Sequence, residues 1–320
     1  MPPELPRILT DDVVGVRWAR WYFAVQALGG IMWWVGVFTV PWVRRSTLGG
    51  LDPVLVGILD VPLFVVASAL VAAGLRPLIW VAVPWTVLVT AAMVGYASIT
   101  GQAGWGALIM IAAACGSLGA GEVLRRGRLP AELLLRGPFR FRVARASSRG
   151  RLVRQTFAQL AVFWLLFLVV LPGIILWCEH RWGLGLELQG AVAGIVAAVG
   201  GVVLLGASLL GVWSAWTMCT LGEGTPLPAA QPRRLVTAGP YRHLRNPMAV
   251  AGIVQGVAVG MLVGSWLVIA YAVAGSLIWN TLVRPLEEAD LAARFGAEFD
   301  EYRRRVGVWL PRWESLRTRT

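Results

Sequence analysis

Apolar runs about twenty residues long recur from one end of this chain to the other, and the short gaps between them hold nearly all the charge. A hydrocarbon layer roughly 30 Å thick is crossed by about 20 residues of α-helix, because each backbone N–H and C=O inside it must be bonded within the segment. On that measure eight spans are predicted. The first covers about residues 21–43 without a charge, and the second, about 53–75, contains Asp60. The forty-five uncharged residues between Arg76 and Glu122 exceed one helix, and Thr100-Gly101-Gln102-Ala103-Gly104 supplies the turn that divides them into spans three and four. Span five runs from Phe157 to Cys178 and span six from about Leu188 to Trp213. Thirty-eight uncharged residues separate Arg245 from Arg284, with Gly264-Ser265 near the middle, so this run reads as a hairpin of two short spans.

From Pro285 to about Val306 the pattern changes. Phe295, Phe299, Tyr302 and Val306 fall on one face of a helix, and Asp290 with Arg294, Asp300 with Arg304 and Glu301 with Arg305 are favourable pairs four residues apart. The predicted fold class is therefore an all-α polytopic membrane protein, with about eight transmembrane helices and a C-terminal cytoplasmic amphipathic helix that lies on the membrane face or packs back over the preceding loop. Three regions are expected: 1–121, four N-terminal spans; 122–156, a basic linker with ten arginines; and 157–320, the catalytic region.

Composition agrees. Mean hydropathy is +0.68 and only 14% of residues are charged, which lies outside soluble globular composition. The net charge of +12 is carried by arginine alone, since the chain has no lysine. Such a balance often marks a nucleic-acid partner, but here the arginines occupy gaps between apolar runs, which points away from nucleic acid. With both termini on one side, that side holds 26 arginines and the other only Arg44, Arg45 and Arg181, so the termini are expected in the cytoplasm. An arginine-only, Ala- and Gly-rich chain suggests a bacterial inner membrane. Cys115, Cys178 and Cys219 share no metal-binding or disulfide spacing, so no metal is expected, and the first residues lack the pattern of a removable signal peptide.

Candidate chemistry gathers on the basic side. Residues 222–246 hold Gly222, Gly224, Pro226, Pro228, Pro232, Gly239 and Pro240, a density that excludes a regular helix and predicts an ordered, shaped loop. Pro247 fits the first turn of span seven, so the preceding residues present free helix N-terminal amides that bind an anion or are simply capped. Glu287 and Glu288 stand at the far end of the hairpin on the same face, where they either bind ammonium or ribose hydroxyl groups or complement their own helix dipole. His243 is a candidate base or a solvated loop residue, whereas His180 reads as interfacial. Asp60 is costly in hydrocarbon and reads as bound to a structural partner or to water.

These residues resemble a known family. Gly224-Thr225-Pro226, Gly239-Pro240-Tyr241-Arg242, Arg245-Asn246-Pro247-Met248, Glu287-Glu288, Phe295-Gly296, Phe299, Tyr302 and Trp309-Leu310-Pro311 are similar to the isoprenylcysteine carboxyl methyltransferase and phospholipid methyltransferase superfamily over about residues 155–313. The resemblance implies S-adenosyl-L-methionine as cofactor, in a cytoplasm-facing pocket closed by the last hairpin, the loop before it and the C-terminal helix. It implies a lipophilic acceptor (a lipid, isoprenoid or quinone-like molecule) reached from the bilayer. Gly239, Tyr241, His243, Arg245, Asn246, Pro247, Glu287, Glu288 and Tyr302 are the expected cofactor-binding residues. Arg242, Arg245, His243 and Glu288 are the expected catalytic ones, with Arg242 or Arg245 holding an anionic acceptor and His243, Glu288 or Tyr302 serving as base where one is needed. The superfamily pattern continues after the proline as X-Tyr-X-Gly, and this chain departs from it with Ala249 and Ala251.

Two other classes compete. Membrane sterol reductases carry a similar C-terminal region that binds NADPH, but with Arg-Asp-Glu and Lys-Tyr-Gly elements where this chain has Pro285-Leu286-Glu287-Glu288 and Arg294-Phe295-Gly296. A transporter or non-catalytic scaffold calls for charged or polar residues facing inward from several spans, and Asp60 alone is expected to qualify.

Overall fold

The computed structural model describes residues 12–129, 148–186, 189–225 and 231–311. Seven helical stretches are long and apolar enough to cross a bilayer: Gly15–Thr39, Pro53–Ala73, Arg76–Thr100, Gly104–Arg126, Arg149–Arg181, Gly190–Leu221 and Trp266–Phe295. Pro247–Val263 is a further apolar helix of 17 residues. No strand occurs among the described residues, so the chain is an all-α integral membrane protein; the described residues hold seven membrane-length helices and one shorter, in keeping with about eight predicted spans of which the hairpin pair is short.

Local sequence explains where each helix stops. Helix α1 (Asp12–Thr39) ends at Val40, which is extended at φ −121° because Pro41 follows; the short α2 (Pro41–Thr47) restarts with that proline in its first turn. The first span therefore ends before the predicted Val43. Helix α3 (Pro53–Asp60) is capped by Asp52, whose carboxylate accepts the Val54 and Leu55 amides at 2.8 and 3.0 Å. It continues through a π segment, Val61–Val66, into α4 (Ala67–Ala73). The predicted turn at Gly101 separates α5 (Ile79–Thr100) from α6 (Gly104–Arg126). Helix α7 (Arg149–Trp164) reaches into the basic linker, and a second π segment, Leu165–Val170, leads into α8 (Leu171–Arg181). Residues 130–147 of the linker lie outside the described residues, as do Pro226 and Pro228.

Helix α9 (Gly190–Leu221) precedes the loop, and the hairpin follows as α10 (Pro247–Val263) and α11 (Trp266–Ile278). Its tip is the predicted one: Gly264 adopts φ +66° and Ser265 caps α11 by accepting the Val268 amide at 3.1 Å. Pro285 starts no new helix, contrary to the sequence reading. The α11 axis runs on through a third π segment, Trp279–Val283, into α12 (Arg284–Phe295). The break comes instead at Gly296, at φ 52° and ψ −127°, a conformation open to glycine, after which α13 (Ala297–Arg305) begins. A proline accompanies each π segment: Pro62 lies within the first, and Pro172 and Pro285 lie just beyond the second and third, each ring lacking the N–H that would bond the carbonyl four residues earlier.

The described residues divide into two compact units, one of 12–129 with Cys178–Leu184, the other of 148–177, 185–186, 189–225 and 231–311. In the first unit Phe23, Val71 and Ala82 sit in the core between α1, α4 and α5. Its polar interior is larger than charge counting shows. The Gln26 side chain donates to Ser68 Oγ at 3.0 Å and accepts from Ser117 at 2.8 Å and Tyr22 at 2.7 Å. Asp60 is thus not alone, and these groups bond one another. In the second unit α9 and α10 meet closely: a Cβ on Gly200 would come within 2.9 Å of Met261 Cβ. Small residues are the means by which helices approach when lipid supplies no hydrophobic drive.

Asp60 has the structural partners expected of it. It is 6% exposed, and its two oxygens accept the indole N–H groups of Trp34 at 3.0 Å and Trp85 at 3.1 Å. Asp60→Leu strands both donors at a cost of about 1–3 kcal/mol each, whereas Asp60→Asn keeps one acceptor and loses less. Thermal unfolding in detergent tests this, and equal stability of Asp60→Leu and the parent chain would refute it.

Candidate functional site

Residues 239–246 are shaped by a tight turn. Gly239, at φ +58°, opens a 3-10 segment, Gly239–Arg242, and a Cβ there would lie 2.9 Å from Thr217 Oγ1, so glycine is required for both conformation and space. The turn buries Pro240 and leaves Tyr241 5% exposed, its ring facing inward. The Arg245 amide then bonds Gly307 O at 2.9 Å, tying the loop to the chain beyond α13. Asn246 works in two directions: Oδ1 caps α10 by accepting the Ala249 amide at 3.1 Å, and Nδ2 donates to Glu287 Oε2 at 3.1 Å. Of the two readings of this helix start, the structure gives a side-chain cap, not an array of free amides.

The other wall comes from α12. Adjacent helical residues diverge by about 100°, so Glu287 turns to Asn246 while Glu288 turns to two arginines. Glu288 Oε1 lies 3.2 Å from Arg245 Nη1 and 3.5 Å from Arg284 Nη1. Among the described residues Glu287 has no ion pair.

The C-terminal segment forms the cover. Phe299, Tyr302 and Val306 are buried against Leu235 of the loop and Leu291 and Phe295, so the amphipathic stripe packs back over the loop. Tyr302 Oη donates to Tyr241 O at 2.7 Å. Arg294 joins loop to helix, donating to Gln231 Oε1 at 2.8 Å and Pro232 O at 2.7 Å with Asp290 behind it at 3.5 Å. Glu301 and Arg305 pair as predicted at 3.0 Å, but Asp300 pairs with Arg303 at 3.1 Å, where the spacing pointed to Arg304. Trp309 donates to Asn280 at 3.2 Å and packs edge-on to Trp279.

Tyr241, Arg245, Asn246, Glu287, Glu288 and Tyr302 thus line one cleft, along with Trp279, Arg284, Gln231 and Met218. The remaining expected residues stand elsewhere. Gly239 and Pro247 support the turn and the start of α10, Arg242 is exposed, and His243 is half-buried; none lines the cleft. Arg284, Gln231 and Arg294 were missed. Arg284 had a signal, as the first charge after the uncharged run and four residues before Glu288.

Burial, and after it the Glu287 carboxylate, pushes the Tyr241 phenol well up from its ordinary value; burial likewise pushes up Tyr302, with Arg245 partly opposing. Both shifts favour the neutral phenol. The Tyr241 hydroxyl is buried without a hydrogen-bond partner among the described residues. A buried donor and a carboxylate free of ion pairs, side by side in a cleft, suit a ligand with hydroxyl groups and positive charge. S-adenosylmethionine has both, so the residues fit it chemically. The cleft holds about 60 Å³ of free room, enough for a few waters, and its walls must part for a nucleoside.

Residues 194–298 match the family model described as phospholipid methyltransferase. No curated protein and no solved structure matches the chain. The matched stretch runs from within α9 to the start of α13, narrower than the resemblance read from sequence, and it holds the residues that line the cleft except Phe299, Tyr302 and Val308. Neither a reductase nor a transporter gains support from it. Over residues 194–298, this integral membrane protein is similar to the phospholipid methyltransferase family.

Proposed function

We propose that the chain is an S-adenosylmethionine-dependent methyltransferase acting on a lipophilic acceptor (a lipid, isoprenoid or quinone-like molecule) at the cytoplasmic leaflet of a bacterial inner membrane, with both termini in the cytoplasm. The observation that carries this reading is the pairing, inside the matched region, of the unpartnered Tyr241 hydroxyl with a Glu287 carboxylate that has no ion pair.

When bound, the cofactor supplies an electrophilic methyl group on a sulfonium. The chain's own residues then have three tasks. Glu287 holds positive charge or a ribose hydroxyl, oriented by Asn246, which is itself fixed as the cap of α10. Tyr241 donates a hydrogen bond, its backbone held by Tyr302. Arg245 and Glu288 brace the loop against α12. Displacement at a sulfonium methyl needs alignment and exclusion of water more than proton transfer, so a site with no histidine against it is adequate for a carboxylate acceptor. For an amine or phenol acceptor, Glu287 is a further candidate to take the proton, beside the His243, Glu288 and Tyr302 of the sequence reading.

In detergent, the purified chain is expected to bind adenosylhomocysteine saturably. Glu287→Gln and Tyr241→Phe should each weaken binding about tenfold or more, the usual worth of one hydrogen bond to a charged or buried group. Arg242→Ala and His243→Ala, off the cleft, should leave it within about twofold. Saturable binding of NADPH without adenosylhomocysteine would overturn the proposal.

A further inference from the structure

Arg20 is a charge inside a membrane-length stretch of the first unit. It stands five residues into Gly15–Thr39, roughly 8 Å from the end of that span at the rise of an α-helix. Its neighbours Ala19 and Phe23 share one core cluster with Val71 of α4, Ile79 of α5 and Leu124 of α6, so the start of α1, the end of α4, the start of α5 and the end of α6 lie together. The guanidinium rests against the last turn of α4, where a Cβ on Gly74 would come 3.4 Å from Arg20 Nη2. That turn does not bind it. Val71 O and Leu70 O already accept the amides of Gly74 and Leu75 at 3.0 and 2.9 Å, and Arg20 Nε is buried with no hydrogen-bond partner among the described residues. Glu122, on α6 at the same end, is taken by Arg125 at 2.7 Å and Arg126 at 2.8 Å. Neither Arg17, Arg20 nor Arg76 forms an ion pair among the described residues.

An arginine in a spanning stretch is costly unless its head meets an anion or the headgroup layer, which it reaches by laying its stem along apolar neighbours. The depth of Arg20 fits the second course. Exposed Trp18 and Trp21 stand on either side of it in α1, and exposed Trp80 at the start of α5 carries the Arg125 guanidinium 4.4 Å over its ring, the placement of an interfacial aromatic belt. Arg17 lies one turn away on α1, and Arg76 follows Gly74 in the next connection; both are exposed. A guanidinium fork matches the oxygens of a phosphate, the oxyanion that a bilayer supplies at this level. We propose that this end of the first unit binds a lipid with an anionic phosphate headgroup, held by Arg20 with Arg17 and Arg76 beside it. The site lies outside residues 194–298, and the assignment is independent of the cofactor reading.

The test uses the full chain in neutral detergent, titrated with dioleoylphosphatidylglycerol and, as the neutral comparison, dioleoylglycerol. Native mass spectrometry follows the first lipid bound, and thermal unfolding is read in parallel. The parent chain is expected to bind the phosphate-bearing lipid at least about tenfold more tightly than the neutral one. Arg20→Gln should cut that preference about fivefold or more, the worth of one arginine at an anionic surface, and Arg20→Lys, charged but without the fork, should keep part of it. Arg45→Gln, on α2 at the other end of the unit, should leave it within about twofold. Without lipid, Arg20→Gln should unfold at the parent's temperature, since the side chain has no bond within the described residues to lose. No preference in the parent chain, or the same preference in Arg20→Gln, would overturn the assignment. So would a lower unfolding temperature of lipid-free Arg20→Gln, because the guanidinium would then serve the C-terminal dipole of α4. Displacement of the lipid by an equal concentration of glycerol phosphate would make a soluble phosphate the ligand and would refute the lipid assignment.

Discussion

Everything at the cleft depends on one contact across the mouth of the last hairpin, where Asn246 donates to Glu287 and Arg245 meets Glu288. Hydrocarbon forces the 38 intervening residues into helices, because it offers their backbone no other partner. A helix pair that turns at Gly264-Ser265 must return its two ends to the same membrane face. The polar residues excluded from both helices are thereby delivered to one place, forty-one positions apart in sequence and 3.1 Å apart in space. The side chains then lock what the topology brings near. Asn246 is suited to this because its amide has an acceptor for the helix start and a donor for the acid, whereas an ionised Asp only accepts.

The parts of the fold that were legible in sequence are those that the bilayer dictates. Span positions, the turns at Gly101 and Gly264 and the packing of the Phe299, Tyr302 and Val306 stripe follow from charge exclusion and periodicity. What was not legible depends on backbone bookkeeping. Pro285 reads as a helix start because its missing N–H is harmless there, yet a π turn lets the α11 helix pass through it. Gly296 reads as one member of a motif, and only its φ of 52° shows that it ends α12. Gln26 carries no charge, so nothing in the charge pattern marks the buried polar knot that it centres.

The site was legible in its anchors and not in its enclosure. The paired acids and the Arg-Asn-Pro element stand out in an uncharged neighbourhood. Gln231 and Arg294 do not, since their clasp joins a loop to a helix 62 and 63 positions away. The departure at Ala251 has a local account: it is 1% exposed and faces α9, where a Cβ on Gly211 would lie 3.5 Å from its own. The glycine that the superfamily pattern puts on α10 stands on the facing helix here, and the helices still approach. Ala249 serves through its amide, held by Asn246, and nothing in the structure replaces the aromatic ring.

The central claim is that the loop ahead of α10 and the acids of α12 close on one cofactor. Ultraviolet cross-linking of labelled S-adenosylmethionine to the full chain in membranes, followed by peptide mapping, tests it most directly. The account predicts saturable label, competed by adenosylhomocysteine, on peptides spanning residues 231–246 and 279–302. Label on the helices of residues 12–126, or label that adenosylhomocysteine leaves unchanged, would contradict it.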